Sequence, residues 1–192
     1  MANLKEIRGR ITSISSTMQI TSAMKMVAAA KLKKAQDAIV MLRPYSEKLQ
    51  EIIENVSSSS DSENFSEYAV QREVKKVLYI AVTSNRGLAG AFNSSVIKEL
   101  NVKFEENASV EVEVLTIGKK VFDAVRKNRA VYGNHSDLFN NLSFEQVANV
   151  TSKVMKDFKL GKYDKVYLVY NKFINAATQE VVTEQVLPIS MP

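Results

Sequence analysis

The first 56 residues repeat apolar side chains at alternating spacings of three and four. One column runs Leu4, Ile11, Met18, Lys25, Leu32, Ile39, Ser46, Ile53, and the other Ile7, Ile14, Thr21, Ala28, Ala35, Leu42, Leu49, Val56. Thirteen of these sixteen positions are apolar, and such a spacing held over eight heptads predicts a coiled-coil seam rather than one face of a short core helix. Asn3 predicts the helix cap, with Glu6 placed to reach back to it, and no breaker follows until Pro44. At about 1.5 Å per residue, residues 3 to 56 span roughly 80 Å if Pro44 only kinks the rod. A protruding helix that needs a partner strand is therefore expected.

Inside this helix, the stretch QITSAMKMVAAAKLKKAQ (Gln19 to Gln36) is apolar on more than one face. Ile20, Met26 and Val27 lie away from the seam, and Met24, Ala29 and Ala30 fill its flanks. Methionine and alanine give apolar contact without deep knobs, so surroundings can touch this segment without locking it into one rotational register. Burial of the second side within its own chain would account for the same pattern. The lysines weigh against that, because Lys25 on the seam and Lys31, Lys33 and Lys34 nearby would be costly in a dry core.

Beyond a polar link at Ser57 to Asn64 the pattern changes to alternating strand and helix. The division expected is a shaft helix over 1–56, a linker and domain entry over 57–73, and a globular domain over 74–192. Val77 to Val82 is a continuous apolar run of the kind buried on both faces of a parallel sheet. Leu88 to Phe104 is expected as helix, Ser109 to Ile117 as a strand with one wet face, and Lys119 to Lys127 as a short helix. Ser143 to Gln146 offers a capping box for a helix to about Leu160. Lys165 to Phe173 is a second buried strand, and Gln179 to Ile189 an edge strand paired with it. The fold class is α/β, with the long helix followed by a three-layer, mostly parallel, Rossmann-like sheet domain.

Charge and chemistry narrow the function. The net charge of +5 is concentrated in the arm: residues 1–56 hold nine Lys/Arg against five Asp/Glu, the rest 17 against 16. Ile7 to Gln36 carries Arg8, Arg10, Lys25, Lys31, Lys33 and Lys34 and no acid, which points to an acidic partner. With no cysteine and one histidine, His135, thiol nucleophiles and common zinc sites are excluded, and no cofactor is implied. Glu111 and Glu113 alternate along a strand as a solvated face. No run of 18 apolar residues exists, so no membrane insertion is expected, and the N-terminus has no apolar core for a secretory signal. By itself the chain reads as non-catalytic.

The turn TSNRGLAGAFN (Thr83 to Asn93) lies where a phosphate loop would, after a buried strand and before a helix. Only Gly87 and Gly90 are present, so both the three-glycine dinucleotide fingerprint and the P-loop fail. A tight strand-to-helix turn, with Arg86 and Asn93 making local hydrogen bonds, is the simpler account.

KEIRGRI, the Gln19–Gln36 stretch, Arg43 to Tyr45, SNRGLAGAFN and YNKFINA (Tyr170 to Ala176) follow one another in an order and spacing that resemble the gamma subunits of F-type ATP synthases. The resemblance covers essentially the whole chain and, with no transit peptide before the helix, is to bacterial members. It implies a central-stalk rotor subunit, itself without catalytic residues, that couples proton- or sodium-driven rotation to conformational cycling of the catalytic beta subunits. Its N-terminal helix would pair with a C-terminal helix and enter the ring of alpha and beta subunits. The α/β domain would lie near the membrane c-ring and contact the epsilon subunit, on the cytoplasmic side of the inner membrane. Arg8, Arg10, Ile20, Met24, Lys25, Met26, Val27, Lys31 and Lys34 are the expected rotor contacts, Met24 and Lys25 foremost. The family's motif usually has aspartate at the position of Asn85, and some members have cysteine at that of Ala89.

The family's chain continues about a hundred residues further, so a truncated form is expected here, whose bare seam self-associates or frays. Two rivals remain: a nucleotide-binding α/β enzyme using the Gly87/Gly90 turn, and a basic nucleic-acid-binding coiled coil. The second is weak, because six cations spread among thirty mostly apolar and small residues are sparse for groove reading, and no nucleic acid partner is expected.

Overall fold

Val77 to Ala81 are buried along their whole length, because successive side chains leave a strand on opposite sides and each side here meets a helical layer. The computed structural model describes residues 3–57 and 67–189. Most of the expected Ser57–Asn64 link lies outside the described residues. Two units, Met1–Val56 and Ser57–Pro192, separate by their internal contacts.

The second unit holds a five-stranded sheet. Its elements are β1 (Lys76–Val82), α2 (Phe92–Glu106), β2 (Glu111–Ile117), α3 (Lys119–Val125), β3 (Ala130–Asn134), a 3-10 turn (Ser136–Phe139), α4 (Phe144–Lys159), β4 (Lys165–Phe173) and β5 (Gln179–Leu187). The strand order is β3-β2-β1-β4-β5, parallel throughout except for the antiparallel β4–β5 pair. Val77, Tyr79 and Ala81 pack with Val96, Leu100 and Phe104 of α2 and with Val121 and Val125 of α3. Leu78 and Ile80 pack on the other face with Val154 and Phe158 of α4, Tyr163 and Leu187. This is the expected three-layer, mostly parallel α/β architecture.

Three local differences have physical causes. The helix expected from Leu88 starts only at Phe92, because Leu88 (φ 58°) and Gly90 (φ 56°) adopt left-handed backbone that a helix cannot continue. The five-residue strand β3 is not among the expected elements: it is a short edge, contains Gly133, and is only half-buried. The strand carrying Glu111 and Glu113 does not present a uniformly solvated face. Lys76 Nζ lies 2.6 Å from Glu111 and 2.9 Å from Glu113, and the Tyr163 hydroxyl donates to Glu113.

Gly118 (φ 115°) turns the chain from β2 into α3, and a Cβ there would stand 2.1 Å from the Thr83 carbonyl oxygen. Only glycine fits both the conformation and the space. At α4, Ser143 Oγ accepts the Gln146 N–H at 3.3 Å, as the capping pattern leads one to expect.

The first unit is a single helix, α1 (Leu4–Ser57), with Pro44 inside it. Asn3 caps it: its side-chain oxygen accepts the Lys5 N–H at 3.2 Å, and its carbonyl accepts the N–H groups of Glu6 and Ile7. Glu6 pairs with Arg10 at 2.7 Å instead of reaching back to the cap as the sequence pattern predicts. An i,i+4 pair on an exposed helix competes directly with the reciprocal half of a capping box.

Candidate functional site

In a regular helix each residue advances about 100°, so residue spacing fixes which side chains share a face. Ile20, Met24, Val27, Lys31 and Lys34 follow one another at steps of 4, 3, 4 and 3 within α1 and form one stripe, about a third of the way round the helix from the seam. Three apolar residues lead to two lysines at its C-terminal end. Arg10 stands two heptads before Met24 on the stripe's side, Met26 and Arg8 lie on a different flank, and Lys25 stands in the seam column between Met18 and Leu32. The nine expected contact residues are thus divided among faces rather than gathered on one.

Both surfaces are open. Leu4, Ile7, Ile11, Ile14, Met18, Leu32 and Leu42 of the seam are exposed, and so are Ile20, Met24, Met26 and Val27. Among the remaining expected seam positions, Ala28 and Ala35 are exposed and Ile39 is half-buried. Ile14, Thr17, Met18, Thr21, Ser22 and Lys25 line a shallow, mostly apolar groove along the helix. The threonines need no partner for their hydroxyls. Thr12, Thr17 and Thr21 donate back to the carbonyls of Arg8, Ser13 and Thr17 at 2.7 to 3.0 Å.

The cations differ in availability. Arg10 is paired with Glu6, whereas Arg8, Lys25, Lys31, Lys33 and Lys34 have no ion-pair partner among the described residues. The two unpaired lysines of the stripe, Lys31 and Lys34, beside exposed Ile20, Met24 and Val27, suit a partner that offers apolar surface next to carboxylates.

The glycine turn is closed by its own side chains. Asn93 Oδ1 accepts from the Ser84 backbone N–H at 2.9 Å and from its hydroxyl at 3.0 Å, while Asn93 Nδ2 donates to the Arg86 carbonyl at 3.2 Å. Thr83, fully buried, accepts the Val121 N–H at 3.0 Å through its hydroxyl. Asn93 therefore behaves as expected, while Arg86 contributes its carbonyl and leaves its guanidinium exposed. Gly90 supplies the left-handed turn; Gly87 borders the Lys120 side chain. With the Ser84 N–H already engaged by Asn93, the turn offers little to a phosphate, and the nucleotide alternative is not favoured. Among the described residues no cluster of His, Asp and Glu is arranged to hold a metal ion, and no helix is long and apolar enough to cross a membrane.

The Lys76–Glu113–Tyr163 network has no counterpart among the expectations from sequence. Burial pushes the Glu113 carboxyl up, but the hydrogen bonds from Tyr163 and Lys76 outweigh it and hold the group below the ordinary carboxylate range. The hydrogen bond to Glu111, with that to Glu113, raises Lys76. Burial, followed by its bond to Glu113, raises Tyr163. All three groups keep one ionisation state across the neutral range, which suits a structural tie and not proton transfer.

The family profile described as ATP synthase matches residues 3–192. The ATP synthase gamma chain of Flavobacterium johnsoniae is 57% identical over 99% of this chain, and that of Christiangramia forsetii 50% identical over 98%. This chain belongs to the ATP synthase gamma-chain family. It spans 66% of the length of both relatives. A solved structure titled as the central stalk and c-ring of the Tetrahymena thermophila mitochondrial ATP synthase superposes with a TM-score of 0.68 at 28% identity, covering 88% of this chain and 72% of that one. The gamma-family fold, a long N-terminal helix with a mostly parallel α/β domain, is what the chain adopts.

Proposed function

We propose that this chain works as the central-stalk rotor subunit of an F-type ATP synthase. It couples ion-driven rotation to conformational cycling of the catalytic beta subunits and carries no catalytic residue of its own. The observation that supports this most is α1: one 54-residue helix that exposes an apolar seam and, separately, the Ile20–Lys34 stripe. A helix with two open apolar surfaces needs two neighbours. The seam takes a second helix of the shaft, and the stripe faces the alpha and beta ring, where its lysines meet acidic loops. The α/β domain contacts the epsilon subunit and the c-ring, with the assembly on the cytoplasmic side of the bacterial inner membrane. A rotor acts by contacting the three catalytic sites unequally, which shifts each site's conformational equilibrium in turn. In the absence of that second helix, the same seam pairs with a second copy of the chain.

The test is ATP hydrolysis by three samples: the chain alone, purified bacterial alpha plus beta subunits alone, and the mixture, with co-elution on a sizing column. Co-elution together with hydrolysis raised only in the mixture is expected. Hydrolysis by the chain alone would overturn the proposal.

A further inference from the structure

Asn85 joins three elements of the α/β domain through the two ends of one carboxamide. Its Oδ1 accepts the backbone N–H of Lys119, the first residue of α3, at 2.9 Å. Its Nδ2 donates to the carbonyl of Ser136, the first residue of the 3-10 turn, at 2.8 Å. Asn85 itself lies just after β1. The partners determine the orientation of the amide, since a backbone N–H can only donate and a carbonyl can only accept. A carboxylate at this position could take the Lys119 N–H but would have no hydrogen for Ser136.

The turn beyond Asn85 gives the bridge its use. Arg86 to Ala91 are all exposed, and Leu88 is fully exposed in left-handed backbone (φ 58°). A non-glycine residue in that conformation is strained, and such strain persists only where the surroundings over-determine the chain. The surroundings here are the Asn85 bridge on one side and the Asn93 clamp on the other. We infer that Asn85 is a positioning residue that fixes the direction in which the Arg86–Leu88 tip is presented, and that the full carboxamide is required for it. This rests on the rotor reading, in which a domain that passes torque gains from surface turns that do not yield and need no ordering on contact.

The test is backbone hydrogen exchange of the segment 84–92 in the chain alone, corrected for intrinsic rates, between pH 7 and about pH 3, below the ordinary aspartate range. It compares the unsubstituted chain with Asn85→Asp and Asn85→Ala, with thermal melting alongside. At pH 7 both variants should exchange roughly five- to tenfold faster at the tip, the effect of one or two lost hydrogen bonds, with Tm nearly unchanged. On acidification the aspartate gains a hydrogen for Ser136, so Asn85→Asp should recover towards the unsubstituted rate while Asn85→Ala should not.

An Asn85→Asp tip as protected as the original at pH 7 would overturn the inference, as would loosening with no recovery. A large Tm loss in both variants would also overturn it, because the bridge would then hold the fold rather than aim the tip. In the alpha–beta mixture, Asn85→Ala should lower the stimulation of hydrolysis severalfold, and unchanged stimulation with a loosened tip would remove the torque role. No stimulation by the unsubstituted chain counts against the rotor reading instead, and exchange still decides the bridge.

Discussion

The helix α1 and the α/β domain have similar apolar content in their patterns but opposite fates for it. In the domain, Leu78, Leu100, Val121, Phe158 and Tyr163 are wholly or almost wholly removed from water within the same chain. Along α1, Ile11, Ile14, Met18 and Met24 remain exposed. One unit is finished by its own sequence, and the other is a surface awaiting neighbours. Substitutions should divide accordingly: side chains in the sheet domain set the stability of the isolated chain, and those on the helix set what it joins.

The largest effect is expected in the core. Leu100→Ala removes a fully buried side chain between α2 and β1 and should cost about 2 to 5 kcal/mol in urea unfolding of the domain. Ile14→Ala on the helix should leave the same transition within about 0.5 kcal/mol. Equal costs at the two positions would end the contrast. Next comes Gly118→Ala. The new Cβ would meet the Thr83 carbonyl and hold a left-handed backbone, so a loss of roughly 1 to 3 kcal/mol is expected, seen as a lowered Tm.

Glu113→Gln probes the polar tie beneath the sheet and should cost about 1 to 2 kcal/mol at neutral pH, by weakening the bonds from Lys76 and Tyr163. The sign with pH is fixed. Glu113 is depressed in the folded state, so its contribution is complete above the ordinary carboxylate range and is lost as pH falls through the depressed value. Lys76 is raised, so its contribution is complete below the ordinary lysine value and is lost as pH rises through the raised one. The difference between the unsubstituted chain and Glu113→Gln should therefore hold steady around neutrality and shrink in acid. A difference that grows on acidification would contradict this account of the network.

Much of the fold is legible in the sequence because its signals are local. Val77 to Val82 announces a strand buried on both faces, and Ser143 caps α4 from three residues away. The columns from Leu4 to Val56 describe one helix, and the structure has one, running through Pro44. The features that escape a reading of the sequence depend on residues distant along it. Asn85 finds Lys119 and Ser136, and Glu113 finds Lys76 and Tyr163, only after the sheet has formed. β3 is recognisable mainly from its pairing with β2, since AVYGN alone carries little strand signal. On the helix the residue types and spacing are readable at once, yet the division of the nine candidates into a stripe, a flank and a seam position emerges only when one regular helix fixes their angles.

The smallest effect on the isolated chain, and the most telling for the comparison, is expected from Met24→Glu. Met24 is exposed at the centre of the Ile20–Lys34 stripe, so a carboxylate there meets water in the free chain and should shift domain unfolding by no more than about 0.5 kcal/mol. On the helix surface it lies between Ile20 and Val27 and one turn or more from Lys31, so the helix itself has no reason to yield. On the proposed rotor reading, the same change in the alpha–beta mixture would remove apolar contact and set a negative charge towards acidic loops, and like charges brought together at an interface are strongly unfavourable. Stimulation of hydrolysis should fall by roughly tenfold or more, while seam self-association, followed by sedimentation of the chain alone, stays as it was. Ile14→Glu should do the reverse in the isolated chain and abolish self-association. If Met24→Glu disrupts self-association as strongly as Ile14→Glu, the two surfaces of α1 are one, and the separation of seam from stripe fails.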